Sequence, residues 1–263
     1  MTLGKLVTLP GAFFTSRRAM SPKIRNRTSC ALRRALLPHW KIRMTAKLAD
    51  GTKIDLSEDP LDDRILADLL GRFEPLFYPE NLKEFPAGQW ILDVGAHHGA
   101  YAAIALARYP GARLIAVEPD PQGFAKLRRN VQLNHLEDRI ELVNGAIADA
   151  EGQSRLIASD EGSWGNYIDP KAAEGIPVKT LRLDSILKGR SPYLVKTNCE
   201  GGEFALIPQL FALNLKPPYL ILLAHPQMGD IAQLRATVEQ QGYRITPIRS
   251  TEMHTRWLCE LPG

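Results

Sequence analysis

From Trp90 onward, short apolar runs alternate with longer stretches in which apolar residues recur every three or four positions. The runs Trp90–Val94, Arg113–Glu118, Ile140–Val143, Tyr193–Lys196 and Tyr219–Ala224 read as buried strands. Between them, Ala100–Arg108, a segment from Asp120 to Leu133, Glu203–Leu213 and Asp230–Gln240 carry the helical spacing. Asp120 followed by Pro121 is a helix-start signal, a capping carboxylate ahead of a residue already fixed in helical φ. Gly152–Ala158 and Val178–Leu183 read as shorter inserted strands, and Gly242–Ile248 with Thr255–Leu261 as a closing antiparallel pair. Strands separated by helices imply βαβ units and a mostly parallel sheet, an α/β fold.

Upstream the rhythm is weaker. Residues 42–48 alternate loosely, Asp50-Gly51 is a turn pair, and Thr52–Leu56 alternates again, which predicts a hairpin. Asp62–Leu70 has helical spacing, and Pro75, Pro79 and Pro86 then break the chain. A further helix is expected from a Ser29 cap to Leu37, with Leu32, Ala35 and Leu36 on one face and Pro38 ending it. This divides the chain into an extension over 1–49, a hairpin and helical lead-in over 50–89, and a main domain over 90–263.

Charge changes that picture. Residues 1–49 contain four Lys and seven Arg without one acid, so the segment carries +11 and the remainder −7. A basic tail on an acidic body argues against a nucleic-acid surface spread over the whole protein. The tail suits a partly ordered extension, a segment drawn peripherally to an anionic membrane, or an organelle-targeting peptide. No apolar run reaches the length of a membrane span, no secretory signal stands at the N-terminus, and a cytoplasmic location is the expectation. Cys30, Cys199 and Cys259 are too few and too scattered for a disulfide framework or a zinc site.

The richest stretch for chemistry is Leu92-Asp93-Val94-Gly95-Ala96-His97-His98-Gly99, which runs from a strand into a helix. Ligands of open α/β sheets sit at the carboxyl ends of strands, where glycines let them approach the backbone. The spacing is G-x-x-x-G, without the middle glycine of a dinucleotide fingerprint, which disfavours a nicotinamide dehydrogenase. Asp93 suits a cationic ligand, and Glu118, nineteen residues after Gly99, can accept the hydroxyl hydrogens of an adenosine ribose. Asn144-Gly145-Ala146 can border an adenine ring or simply turn the chain.

These segments resemble the FkbM-type methyltransferases. LDVGAHHGAYAAIALARYPGARLIAVEPDPQGFAKLRRNVQLN, NGAIADAEGQSRL, VKTLRLDSIL and YLVKTNCEGGEFALI follow that family's order and spacing over about Trp90 to Pro226. The resemblance implies a class I methyltransferase fold, a Rossmann-like sheet with a C-terminal antiparallel strand. It also implies S-adenosylmethionine as cofactor and O-methylation of a sugar, glycolipid or polyketide hydroxyl. Its cofactor positions fall on Asp93, Gly95, Gly99 and Glu118. Ala96, His98, Asn144, Ala146 and Asn198 are added from the loops around them. Two positions depart from the family pattern: Asn198 stands where it usually has Asp, and Leu223 where it often has Glu.

For the base that activates an acceptor hydroxyl, the candidates are Glu200, His225 and Glu203, with His98 behind them. Glu200 and Glu203 equally suit first-turn helix carboxylates, and His225 a turn residue before Pro226. Nothing in their spacing calls for a metal ion. Ser163–Tyr167 reads as a sugar-stacking lid or as a surface turn with Trp164 tucked inward. Three readings therefore stand: transfer to a hydroxyl-bearing glycan or small molecule, transfer to RNA or protein recruited by the tail, or an adenosyl-binding scaffold without turnover.

Overall fold

A computed structural model describes residues 21–36, 43–56, 61–71, 73–82, 84–159, 165–248 and 254–262. The first described helix, α1 (Arg27–Leu36), leads to the hairpin β1 (Met44–Lys47) and β2 (Lys53–Leu56). Helices α2 (Leu61–Leu69) and α3 (Glu74–Phe77) complete the lead-in. The main domain then runs β3 (Trp90–Val94), α4 (Ala100–Arg108), β4 (Arg113–Val117), α5 (Pro121–Leu133) and β5 (Ile140–Val143). An insertion follows with β6 (Ala146–Ile147), β7 (Gly152–Ile157), β8 (Tyr167–Asp169), β9 (Ile176–Leu181) and α6 (Leu183–Leu187). The chain closes with β10 (Pro192–Asn198), α7 (Glu203–Ala212), β11 (Tyr219–Ala224), α8 (Ile231–Gln240), β12 (Arg244–Pro247) and β13 (Thr255–Glu260).

Seven strands form the central sheet in the order β12-β13-β11-β10-β3-β4-β5. The β11-β10-β3-β4-β5 pairings are parallel, while β13 runs antiparallel to both β11 and β12. This is the class I methyltransferase arrangement, with one reversed strand inserted near an edge of a sheet built from crossovers. Strand β3 is central and buried on both faces, as a near-continuous apolar run in a parallel sheet requires. Alternation sends Ile91, Leu114, Leu194 and Ile221 to one core, and Leu92, Ile115, Val195 and Leu220 to the other.

The lead-in shares the first of those cores, where Leu56, Leu66 and Leu76 join Ala102, Ile104 and Leu127. Helix α5 stitches it in place: Asn130 Oδ1 accepts from Asp55 N at 2.7 Å, and Asn134 bonds both N and O of Lys53. Helix α1 corrects the sequence expectation. Leu32 is 49% exposed, whereas Cys30, Ala31 and Arg33 face inward, because Arg33 forms an ion pair with Asp63 in which both side chains are buried. The charge pair, invisible to apolar periodicity, sets the helix's rotation. Residues 1–20 and Pro38 lie outside the described residues, as does the expected helix end at Leu37.

The insertion is richer than the two strands expected. Its four strands form a separate sheet in the order β6-β9-β7-β8. The three-residue β8 and two-residue β6 are too short to show a period, and the expected strand to Leu183 stops at Leu181, because helix α6 takes over at Leu183. Among the described residues, no helix is long and apolar enough to cross a membrane.

Candidate functional site

A cavity of about 720 Å³ opens at the carboxyl ends of β3, β4, β10 and β11, between the small sheet and helix α2. Its size lies within the range of pockets that hold a cofactor. Of the residues singled out in the sequence, Gly95, Ala96, His98, Glu118, Ala146, Asn198 and Glu200 line it, and Leu223 does too. Asp93, Gly99, Asn144, Glu203 and His225 do not line it; they stand behind the wall.

The two glycines of the loop also pack against neighbouring elements. A Cβ on Gly95 would lie 1.8 Å from the carbonyl oxygen of Asn198, and one on Gly99 would lie 2.5 Å from Leu127 Cδ1. Both have φ near +80°. Their missing side chains therefore let the loop pass the end of β10 and the body of α5, and Gly95 also lines the cavity. The loop amides of Gly95 and Ala96 donate to Val117 O at the end of β4.

Asp93 also needs correction as a ligand-facing carboxylate. It is fully buried, it is the register partner of Lys196 on β10, and its Oδ1 accepts from Lys196 Nζ at 2.7 Å. Burial raises its pKa above the ordinary carboxylate range, and the Lys196 ammonium pulls the other way. Lys196 Nζ also donates to Gly95 O at 3.0 Å and sits over the Tyr101 ring while lining the cavity. The negative charge at the strand end is thus answered within the protein. The sequence signal was a lysine and an aspartate, each within an otherwise apolar strand; their adjacency comes from the pairing of β10 with β3.

Glu118 sits at the end of β4 with its carboxylate on the cavity wall. Oε1 accepts from Asp120 N at 2.8 Å and Oε2 from His97 N at 2.6 Å. Burial pushes its pKa up to about 7 against the lowering effect of those two amides. Each oxygen keeps a lone pair, which is what a vicinal ribose diol needs. Asn144 supports this corner from behind, with Nδ2 donating to Glu118 O at 2.8 Å. These groups fit an adenosyl cofactor: a diol acceptor, small residues at Gly145 and Ala146, and a loop held tight by the glycines.

On the opposite wall, three side chains form a row. Glu203, fully buried at the start of α7, accepts from His225 N at 2.8 Å, and its Oε1 lies 3.0 Å from His225 Nδ1. Its other oxygen accepts from Gly201 N at 3.0 Å and Cys199 Sγ at 3.4 Å. Glu200 Oε1 is 3.0 Å from His225 Nε2, off the line of a hydrogen bond, and Glu200 adopts φ +46°. Burial works against a charged His225, but the two glutamates outweigh it and raise its pKa to about 9. Of the three, Glu200 alone reaches the cavity. The thiol of Cys199 is pushed well up by burial and by Glu203, so it is no thiolate nucleophile.

His97 and His98, in the turn after β3, both line the cavity, with their Nδ1 atoms 2.9 Å apart. Burial and the neighbouring ring hold His97 down to about 3, so it is neutral. Trp164 of the expected lid lies outside the described residues; Tyr167 begins β8, and Asn166 Oδ1 accepts from Ser159 N at 3.0 Å.

The chain is similar to several solved structures at low identity. A precorrin-6Y C5,15-methyltransferase from Geobacter metallireducens GS-15 aligns over 73% of this chain and 87% of that one, at 16% identity and TM-score 0.44. An O-methyltransferase family protein from Burkholderia thailandensis aligns over 98% and 68%, at 12% identity and TM-score 0.45. The METTL16 methyltransferase domain aligns over 89% and 79%, at 16% identity and TM-score 0.47. No curated protein matches. The family model of the methyltransferase FkbM domain matches residues 93–245, from the buried aspartate of β3 into the start of β12, and the chain belongs to that family.

Proposed function

We propose that the protein transfers a methyl group from S-adenosylmethionine to a hydroxyl of a sugar, a glycolipid or a related small-molecule acceptor. The observation that carries the reading is Glu118, a buried carboxylate on the cavity wall at the end of β4 whose geometry suits a ribose diol. The bound cofactor supplies a methyl group on a sulfonium, open to in-line displacement. Glu118 holds the ribose, and the wall at Gly145 and Ala146 borders the adenine. Glu200 takes the proton of the acceptor hydroxyl. His225 and Glu203 are positioning residues: Glu203 accepts from the imidazole and its backbone amide, which fixes the ring behind Glu200.

A positioned base contributes about 10²–10⁴-fold to such a transfer. Asn198 lines the cavity as an amide, able to orient an acceptor but not to deprotonate it, and of Glu200, Glu203 and His225 it is Glu200 that lines the cavity. The test is transfer of labelled methyl to a panel of glycans, glycolipids and small hydroxyl acceptors by the intact chain and by Glu200→Gln. The expected result is labelling of at least one acceptor class, with kcat reduced by about 10²–10⁴-fold in the variant and cofactor affinity unchanged. Cofactor binding with no labelled product would overturn the enzymatic reading in favour of a binding scaffold. Labelling confined to RNA or protein would overturn the acceptor class.

A further inference from the structure

We propose that Asp62, His97 and His98 form a binding site for a divalent transition metal of the zinc class, on the wall of the cavity. The inference stands whether or not the cavity takes S-adenosylmethionine. One ligand atom from each residue lies within 4.8 Å of the others, and the two imidazole Nδ1 atoms are 2.9 Å apart. Two nitrogens bound to one tetrahedral zinc at 2.0–2.1 Å stand about 3.3 Å apart, so a few tenths of an ångström of opening converts the pair into ligands.

The ligand set selects the metal. Two imidazoles and one carboxylate suit zinc, cobalt, nickel or ferrous iron, whereas magnesium and calcium favour oxygen donors. Three protein ligands with one position left open is the pattern of reactive zinc sites rather than closed structural ones. Both histidines line the cavity, so the open position borders the space in which a water or a ligand oxygen would sit.

The frame around the cluster is rigid. Asp62 and His98 are fully buried, His97 has φ +49°, and Asn130 Nδ2 donates to His98 O at 2.7 Å. The ligands come from separate elements, the first turn of α2 and the loop after β3, so the ion would tie the lead-in to the glycine loop. In the structure a cation already faces Asp62: Lys126 Nζ lies 3.2 Å from its Oδ1. That side chain is 18% exposed, and its flexible stem can carry the ammonium out to solvent when an ion enters.

The experiment strips the full-length protein with chelator, reconstitutes it with zinc or cobalt(II), and reads metal content by elemental analysis and cobalt coordination by visible absorption. The expected result is a single retained equivalent and a tetrahedral cobalt spectrum without thiolate charge-transfer bands. Asp62→Asn and His98→Gln should lose both signals. Lys126→Met should retain the metal and bind it several-fold more tightly, since it removes the competing cation and leaves all three ligands. No retained metal in the intact protein would overturn the proposal. So would undiminished metal in both ligand variants, weaker binding in Lys126→Met, or a thiolate band assigning the ion to a cysteine.

Discussion

Replacing Lys196 by Met should destabilise the fold far more than a surface lysine substitution does. The substitution keeps most of the side chain's volume and removes the charge that answers Asp93, whose carboxylate is 0% exposed and 2.7 Å away. Breaking a buried ion pair from one side costs about 3–5 kcal/mol, because the remaining charge is left in a poorly polarisable interior. For a chain of this size that corresponds to a fall in Tm on the order of 10 °C. The loss should also depend on pH. Asp93 already has a raised pKa in the fold, and the variant raises it further, so the folded state holds a proton that the unfolded chain releases. Folded-state stability then falls as pH rises above the unfolded value, by about 1.4 kcal/mol per unit until the folded pKa is reached. Urea denaturation of Lys196→Met between pH 5 and 8 should show the penalty shrinking toward acid, and Asp93→Asn/Lys196→Met should recover much of it. A loss below about 1 kcal/mol, or one that does not change with pH, would refute the assignment of Asp93 to Lys196.

Gly95→Ala should be more damaging than Gly99→Ala, although both have the same unfavourable φ. Its new methyl meets the Asn198 backbone, whereas that of Gly99 meets a flexible Leu127 methyl; thermal denaturation of the two variants checks the order. His225 has a folded pKa of about 9 against an ordinary 6.5, so its charged form contributes stability that is fully present below pH 6.5 and lost as pH rises through 9. The size is about 3 kcal/mol, and denaturation of the intact protein across that window should show the decline while His225→Gln does not.

Much of the sheet was legible because parallel strands buried on both faces leave continuous apolar runs, as Trp90–Val94 and Tyr219–Ala224 do. The Asp120 cap was legible from one residue pair, and its side chain accepts from Gln122 N. What escaped was set by long-range pairing. Lys196 and Asp93 are about a hundred residues apart in sequence and adjacent only once β10 lies beside β3. Arg33 faces inward because Asp63 waits there, against the apolar pattern of its own helix. The strands β6 and β8 are held by their neighbours rather than by any pattern of their own. For the site, Glu118 and Glu200 were reachable because strand ends and helix starts mark cavity walls. The packing that forbids a Cβ at Gly95 and Gly99 escaped, because Asn198 and Leu127 reach them from distant parts of the chain.

Calorimetric titration of the intact protein and of Glu118→Ala with S-adenosylmethionine asks whether the cavity takes the cofactor and whether the Glu118 carboxylate holds its ribose. The expected result is saturable binding by the intact protein and at least a tenfold weaker affinity in the variant, since about 1.4 kcal/mol of hydrogen bonding to the ribose suffices for that change. No binding by the intact protein, or equal binding by a folded Glu118→Ala variant, would contradict it.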